Sequence, residues 1–237
     1  MLQRKPLVLC TPEWKTVPWR DVPKDLKDVL VDILVDMPDL LQDLDRSGSC
    51  DDAAGQNANN FKLVQKCWDY DRQLQHWLSL VWQESQGPCN APPLPPPNPP
   101  SPGQTPDDWE RHLAVIHGMS LYWAICLVLY SALRTASGSQ ERQNLPERTD
   151  PERYVRKLVE AISILLRPTA GLYGYQSAAP LIELTLRYTT VVSMSPEHER
   201  LLDMRKRGCK GGKVLVEPAR VGYMGARLEE RSPPGRP

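Results

Sequence analysis

Apolar positions along the chain predict a helix at the centre of the fold. Within the stretch Leu113–Leu133, the run from Leu121 to Leu133 is apolar or small on every face of a helix, apart from three hydroxyl groups. Such a helix must be enclosed by protein or by lipid. Its thirteen residues span about 20 Å, which is short of the roughly 30 Å core of a bilayer, so we expect a buried helix in a soluble domain.

Helical spacing of apolar residues recurs on both sides of this stretch. One of the flanking helices carries three tryptophans on a broad apolar face, and another begins with an aspartate cap followed by proline. The fold class is therefore predicted to be all-α, a single irregular multi-helix domain around the central helix. The flanking segments with this spacing are Leu26–Met37, Phe61–Trp82, Pro151–Leu166, Pro180–Val192 and Pro196–Met204.

Proline, glycine and polar residues mark the segments between the helices. We expect an extended arm over residues 1–22, a polar loop over Ser47–Asn60 and a tight glycine turn over Gly171–Gln176. The segment Gly87–Pro106 holds ten of the chain's 24 prolines and is predicted to be a polyproline-like linker inside the domain, or a docking site for a proline-recognising partner. The domain is expected to cover residues 1–208, followed by a low-order tail over 209–237.

The charge balance argues against a function that depends on overall attraction to nucleic acid or to a membrane surface. Acidic and basic residues number 29 each, so no overall field favours nucleic acid or a membrane surface. Six cysteines lie far apart without a C-x-x-C pair, and the first residues form too short an apolar run for a signal peptide. A reducing compartment such as the nucleus or cytoplasm is expected.

Catalytic motifs are incomplete wherever they begin, so the sequence predicts no catalytic residues and no cofactor. Gly118-Met119-Ser120 starts like a nucleophile elbow, but Tyr122 stands where the second glycine belongs and no strand precedes it. The segment Gly208–Val214 has the wrong spacing for a phosphate loop. The double aspartates at 51–52 and 107–108 leave a prenyl-diphosphate enzyme as an alternative. Neither pair, however, is followed one helical turn later by the paired carboxylates that a diphosphate-binding helix would use.

Metal ligands are not predicted either. The four histidines are scattered, and the closest pair, His112 and His117, point about 140° apart around a helix. A row of aspartates from Asp25 to Asp39 is interpreted as a solvated acidic face rather than a metal site.

One basic cluster is a candidate nuclear-import signal. It is interpreted either as a solvated charge run at a helix end or as a nuclear-import signal or phosphate contact. Its members are Arg205, Lys206, Arg207, Lys210 and Lys213.

Three segments together resemble a known family, the C-terminal regulatory region of fungal binuclear zinc-cluster transcription factors. They are Pro12–Asp45 with its P-E-W-K-T-V-P-W start, Leu121–Leu133, and Ala161–Leu181. In the last, Gly171, Gly174, Gln176 and Pro180 are similar to the family's glycine turn. The cysteine-rich zinc cluster that reads DNA in this family has no counterpart in this sequence.

The resemblance implies a non-enzymatic regulatory module in the nucleus, without direct sequence-specific DNA binding by this chain. Its expected partners are proteins, through dimerisation or a coregulator, with a small-molecule effector as a further option and no membrane. One alternative is a helical small-molecule binder or enzyme with a pocket near Tyr122, Trp123 and the glycine turn. Another is a truncated or wrongly started product of a longer zinc-cluster gene.

Overall fold

The computed structural model describes residues 8–49, 53–85, 106–192 and 196–206. All regular elements in these ranges are helices, which confirms the all-α prediction. The α-helices are α1 (Pro12–Thr16), α2 (Leu26–Leu34), α3 (Met37–Gly48), α4 (Ala53–Ser85), α5 (Pro106–Ala136), α6 (Ser139–Gln143), α7 (Pro151–Leu165), α8 (Gly171–Val192) and α9 (196–206). Short 3-10 turns occupy Val8–Cys10, Val17–Trp19, Glu147–Thr149 and Pro168–Ala170.

Helix α5 is the centre of the packing, as its apolar pattern predicts. Helices α2, α3, α4, α7 and α8 all contact it, and Ile125, Leu129 and Leu133 are completely buried. Within the described residues, Arg111–Ala136 is the one helix long and apolar enough to cross a membrane, and 67% of its most apolar window is buried inside the fold. The surrounding helices therefore account for the apolar character of α5.

Helix α4 is longer than its apolar pattern predicts. It begins at Ala53 and α3 ends at Gly48, so the expected loop over Ser47–Asn60 is wrong at residues 47–48 and 53–60. The hydroxyl of Ser47 in α3 donates to the side-chain oxygen of Asn60, and this contact helps to hold the polar first turns of α4 in a helix despite the low helix propensity of Asn and Gly. Phe61, expected on the apolar stripe, is 66% exposed.

The acidic side chains of α2 and α3 do more than form a solvated face. Asp25 and Asp28 make a capping box at the start of α2, where each side chain accepts from the other residue's backbone N–H. Four further aspartates accept from lysines of other elements: Lys15 with Asp36 at 2.7 Å, Lys24 with Asp32, and Lys66 with Asp39 and Asp43, both at 2.6 Å. Burial lowers the pKa of Lys66, but hydrogen bonds to its two carboxylates outweigh this effect and the net pKa is raised.

The described part of the N-terminal arm, residues 8–22, is not extended, contrary to expectation. Pro12 lies in the first turn of α1, and Pro18 lies in the first turn of a 3-10 helix, because the fixed φ of proline suits helix starts. Lys15 ties the arm to the body through the backbone carbonyl of Asp32 as well as Asp36. Of the two indoles, Trp19 lies beneath Lys24 and makes part of the contact expected of the arm. The Trp14 side chain stays 51% exposed.

The connection between α7 and α8 depends on two glycines. Gly171 has φ 57° and ψ −152°, a conformation essentially limited to glycine, and it directly follows the 3-10 turn Pro168–Ala170. The predicted turn over Gly171–Gln176 is wrong in extent because the helix already starts at Gly171. Pro180, predicted to open this helix, lies inside it.

Two of the sequence predictions fall on residues that the structure does not describe. They are the polyproline-like linker up to residue 105 and the tail beyond residue 206. Both stay predictions.

Replacing Gly174 with alanine tests the close approach of α8 to α7. A Cβ there would lie 2.2 Å from the carbonyl oxygen of Leu165 and 2.5 Å from the Cβ of Ala170. We expect the free energy of unfolding, measured by urea denaturation, to fall by about 1–3 kcal/mol.

The matched control is Gly118→Ala in α5, where a Cβ would meet nothing within 4 Å. Because alanine is the better helix former, this variant should be unchanged or more stable by up to about 1 kcal/mol. Equal effects of the two substitutions would contradict the packing described here.

Candidate functional site

A cleft of about 890 Å³ opens at the C-terminal end of the central helix. One wall is the first half of α4, from Asn57 to Trp68, and the other consists of the end of α5 and the segment through α6 to Leu145. Ligand-binding clefts commonly have volumes of roughly 300–1,000 Å³. The cleft is therefore large enough for a small molecule.

The cleft exists because α4 extends past the end of α5. The two helices run antiparallel, since Trp77 stacks on Tyr122 with ring centroids 5.4 Å apart while Asp71 bonds Tyr130, eight residues further along α5. Continued toward its N-terminus, α4 passes the level at which α5 stops. Phe61 lies in this first part of α4, and its side chain is exposed at the cleft.

Neutral polar and apolar residues together make up most of the described lining of the cleft. Carboxamides can both donate and accept hydrogen bonds, and they come from α4, from α6 and from the residue that follows α6. The apolar part consists of Phe61, Val64, Trp68, Ala136 and Leu145. The carboxamide side chains are those of Asn57, Asn60, Gln65, Gln140 and Asn144.

A second, smaller cleft of about 360 Å³ lies beside the first and shares Thr135 with it. Its lining includes Arg134 and Arg142 and also Asp150 and Glu152. The Arg134 guanidinium lies 3.6 Å from Asp150, and Arg142 donates to the carbonyl of Ser137. Because the opposite charges are paired at this edge, the arginines are already engaged within the protein.

A buried polar network lies in the interface of α4, α5 and α7. Asp71 is 3% exposed and accepts from the Tyr130 hydroxyl at 2.6 Å and from Arg148 at 3.0 Å. Tyr154 donates to the backbone carbonyl of Arg148 at 2.7 Å, and the guanidinium of Arg148 lies 5.8 Å from the ring centre of Trp68. Burial raises the pKa of Tyr130 and of Tyr154, so both stay neutral donors at physiological pH.

The four residues of the family-like glycine motif are not brought together as a site. Gly171 and Gly174 form the α7–α8 junction, and their roles are conformational and steric. Gln176 and Pro180 are exposed on α8. Their match to the family motif stays a prediction.

The basic cluster is only partly within the described residues. Arg205 and Lys206 are exposed at the end of α9, and Arg205 lies 3.5 Å from Glu183 of α8. Arg207, Lys210 and Lys213 lie outside the described residues. A role of this cluster in nuclear import stays a prediction.

The pocket expected near Tyr122 and Trp123 does not coincide with the larger cleft. Both side chains are 4% exposed, with Trp77 stacked on Tyr122 and Lys157 over the Trp123 ring. The described clefts lie three turns further along α5.

Three of the four histidines make separate side-chain contacts in the structure. His117 bonds the Tyr173 hydroxyl at 2.7 Å, His112 stacks on Trp109, and buried His198 bonds Thr189 at 2.8 Å. Among the described residues, no group of three or more His, Cys, Asp or Glu side chains could hold a metal ion. Ser120, the serine of the incomplete elbow, donates to the carbonyl of His117 within α5.

Asp71 and the cleft residues were not predicted from the sequence. An acidic residue on the inner side of a helix that also carries Trp68 and Leu74 is a signal for a buried partner, although 59 residues separate it from Tyr130. The lining residue Ser137 offers no comparable signal, since a serine after a helix is common.

Comparison with known proteins identifies no relative. No protein-family model matches the chain, and no curated protein and no solved structure matches it. The resemblance to fungal regulatory regions therefore rests on the three segments of the sequence.

Removing the Tyr130 hydroxyl tests the buried network. In Tyr130→Phe, Asp71 loses one of its two donors while staying buried, so we expect the free energy of unfolding to fall by about 1–3 kcal/mol in urea denaturation. In the control Tyr173→Phe, the altered ring is 44% exposed, and the change should stay within about 0.5 kcal/mol. A loss as small in Tyr130→Phe as in the control would refute the network's contribution.

Two buried cysteines should resist alkylation in the folded protein. Burial raises the pKa of the Cys67 and Cys126 thiols to about 12, so at pH 8 they hold their protons and lack the reactive thiolate. Iodoacetamide labelling followed by peptide mass spectrometry should leave both unmodified without denaturant and modify both in urea. Labelling of either thiol at the same rate in both conditions would contradict their burial.

Proposed function

We propose that this chain is a non-enzymatic regulatory module of the fungal transcription-factor type that acts through binding partners. The observation that carries the proposal is that the acidic and imidazole side chains of the interior already bond to other residues of the protein. Asp71 is held by Tyr130 and Arg148, His198 bonds Thr189, and His117 bonds Tyr173. In contrast, the larger cleft is lined mainly by carboxamide and apolar side chains, which bind rather than transfer protons.

The positions of the three family-like segments also support the proposal. Pro12–Asp45 covers α1, α2 and most of α3, Leu121–Leu133 is the buried part of α5, and Ala161–Leu181 spans the α7–α8 junction. Each segment therefore contributes to the packing around α5. A resemblance spread over one interlocked set of helices is stronger support than three matches in separate surface regions.

Exposed apolar side chains support contact with another protein. Val8, Leu9, Trp14, Val17 and Val22 in the N-terminal arm are each at least 48% exposed. Neighbouring apolar side chains that stay exposed often mark interaction surfaces. In this proposal the partner is a coregulator or a second copy of the chain, and a coregulator supplies the DNA contact that this sequence has no motif to make.

The proposed function is testable by tethering. The full chain, fused to an unrelated DNA-binding domain in a fungal cell, should raise or lower transcription of a reporter that carries the matching site. The control fusion carries Ile125→Asp, which places a charge at a completely buried position of α5 and should abolish the effect by unfolding the module.

Two outcomes would count against the proposal. One is unchanged reporter transcription with a fusion that is present and resistant to limited proteolysis. The other is tight binding of a specific DNA sequence by the purified chain alone, which would give it a reader of its own.

A further inference from the structure

Helix α4 has a row of side chains that the other described elements leave partly or largely exposed. Phe61 is 66% exposed, and Gln65, one turn later, is also exposed. Trp68, a further turn along, is partly buried beneath Arg148 and lines the larger cleft. Aromatic side chains exposed in this way are stabilised when a second surface removes them from water.

The two aromatic side chains of this row are spaced for contact with a second α4. Phe61 and Trp68 are seven residues apart, which is about 10 Å along the helix axis and about 20° around it. If a second α4 runs antiparallel across the row, with a twofold axis between residues 64 and 65, Phe61 of each copy lies against Trp68 of the other. Gln65 then lies beside the axis, where its carboxamide can both donate to and accept from its counterpart.

Charged side chains beside the row have the same spacing. Lys62 is exposed next to Phe61, and Asp69 is 56% exposed next to Trp68. These two charges are also seven residues apart, so within one helix they are about 10 Å from each other and too far apart for a direct ion pair. Asp69 accepts from Arg72 of its own helix, an exposed pair that water screens.

In an antiparallel pair of helices, the charges beside the row meet across the interface. Lys62 and Asp69 lie on the same side of the row, and the midpoint between them is one residue from the midpoint of the aromatic pair. Side chains on the same flank of two antiparallel helices face each other, so Lys62 of each copy faces Asp69 of the other. The aromatic contacts and the ion pairs therefore require the same alignment.

These features select a second copy of the chain as the occupant of this surface. A twofold interface brings the same surface of both chains together, so that surface must complement itself. The row on α4 meets this condition, because each aromatic side chain meets another and each cation meets an anion. The adjoining cleft of about 890 Å³ leaves room for a side chain of the partner.

We propose that this chain forms a twofold dimer through antiparallel pairing of the first half of α4. Phe61 packs against Trp68 of the other copy, and Lys62 pairs with Asp69 of the other copy. Fourteen residues line the cleft, which is fewer than the roughly 20–30 residues per side of a stable complex, so the dimer is weak and reversible. That the dimer serves regulation rests on the proposed function, whereas the pairing itself does not.

Sedimentation velocity of the full purified chain over a range of concentrations tests the dimer. We expect a reversible monomer–dimer equilibrium with a dissociation constant on the order of 10 µM. Phe61→Ala should raise this constant about tenfold, because the aromatic contact is made twice in the dimer. The matched control is Leu172→Ala, which removes a 51% exposed apolar side chain at the start of α8 and should leave the constant unchanged.

Two charge reversals test the alignment of the helices. Lys62→Glu and Asp69→Lys each bring like charges together at both ion pairs of their own dimer, so each variant should dimerise about tenfold more weakly. When the two variants are mixed in equal amounts, both pairs of the mixed dimer are opposite charges again, and its affinity should return to about that of the unaltered chain. Since the two substitutions are on different molecules, such a rescue can only act across the interface.

Three results would overturn the proposal. They are a chain that stays monomeric at roughly ten times the expected dissociation constant, a dimer that Phe61→Ala leaves unchanged, and a mixture as weak as the separate charge variants. A chain that stays monomeric while Phe61→Ala abolishes the reporter effect would make another protein the occupant of this surface. The reporter assay is read separately, so a monomeric chain that alters transcription refutes only the dimer, and an inert dimer refutes only the regulatory function.

Discussion

The middle of α5 has to be removed from water on every face, and the arrangement of the other helices follows from this requirement. Its run from Leu121 to Leu133 offers almost no polar surface, so helices pack against it from several sides. The Tyr130 hydroxyl lies in the middle of this apolar environment and must be satisfied there. Asp71 accepts from it, and Arg148 in turn balances the charge of Asp71. The network thereby fixes how α4 and the segment before α7 lie against the central helix.

The cleft follows from the same packing. Because the Trp77–Tyr122 stack and the Asp71–Tyr130 bond fix the antiparallel alignment of α4 and α5, the first turns of α4 extend beyond the end of α5. The segment through α6 fills part of the space below them, and the cleft is the part left open. The candidate binding site at the end of the central helix therefore results from the extension of α4 beyond the end of α5.

Ion pairs hold the periphery where apolar burial is less complete. Lys15 connects the N-terminal arm to α2 and α3, and Lys66 connects α4 to two aspartates of α3. The contribution of these ion pairs is to position the elements that they join. The arm that Lys15 holds still exposes Trp14, which leaves apolar surface for a protein partner.

The sequence by itself determined the helical class, the central helix and most of the flanking helices, because a 3.6-residue apolar period and local signals such as the Asp150 cap depend only on neighbouring residues. It could not determine which polar segments are helical: residues 53–60 are, because α4 docks on α3, and the arm turns because its prolines sit at helix starts. Only the tertiary structure brought Asp71 to Tyr130 and made Phe61 and Ser137 line the same cleft. These pairs are far apart in the chain, and no local pattern specifies a contact that forms when separate helices pack together.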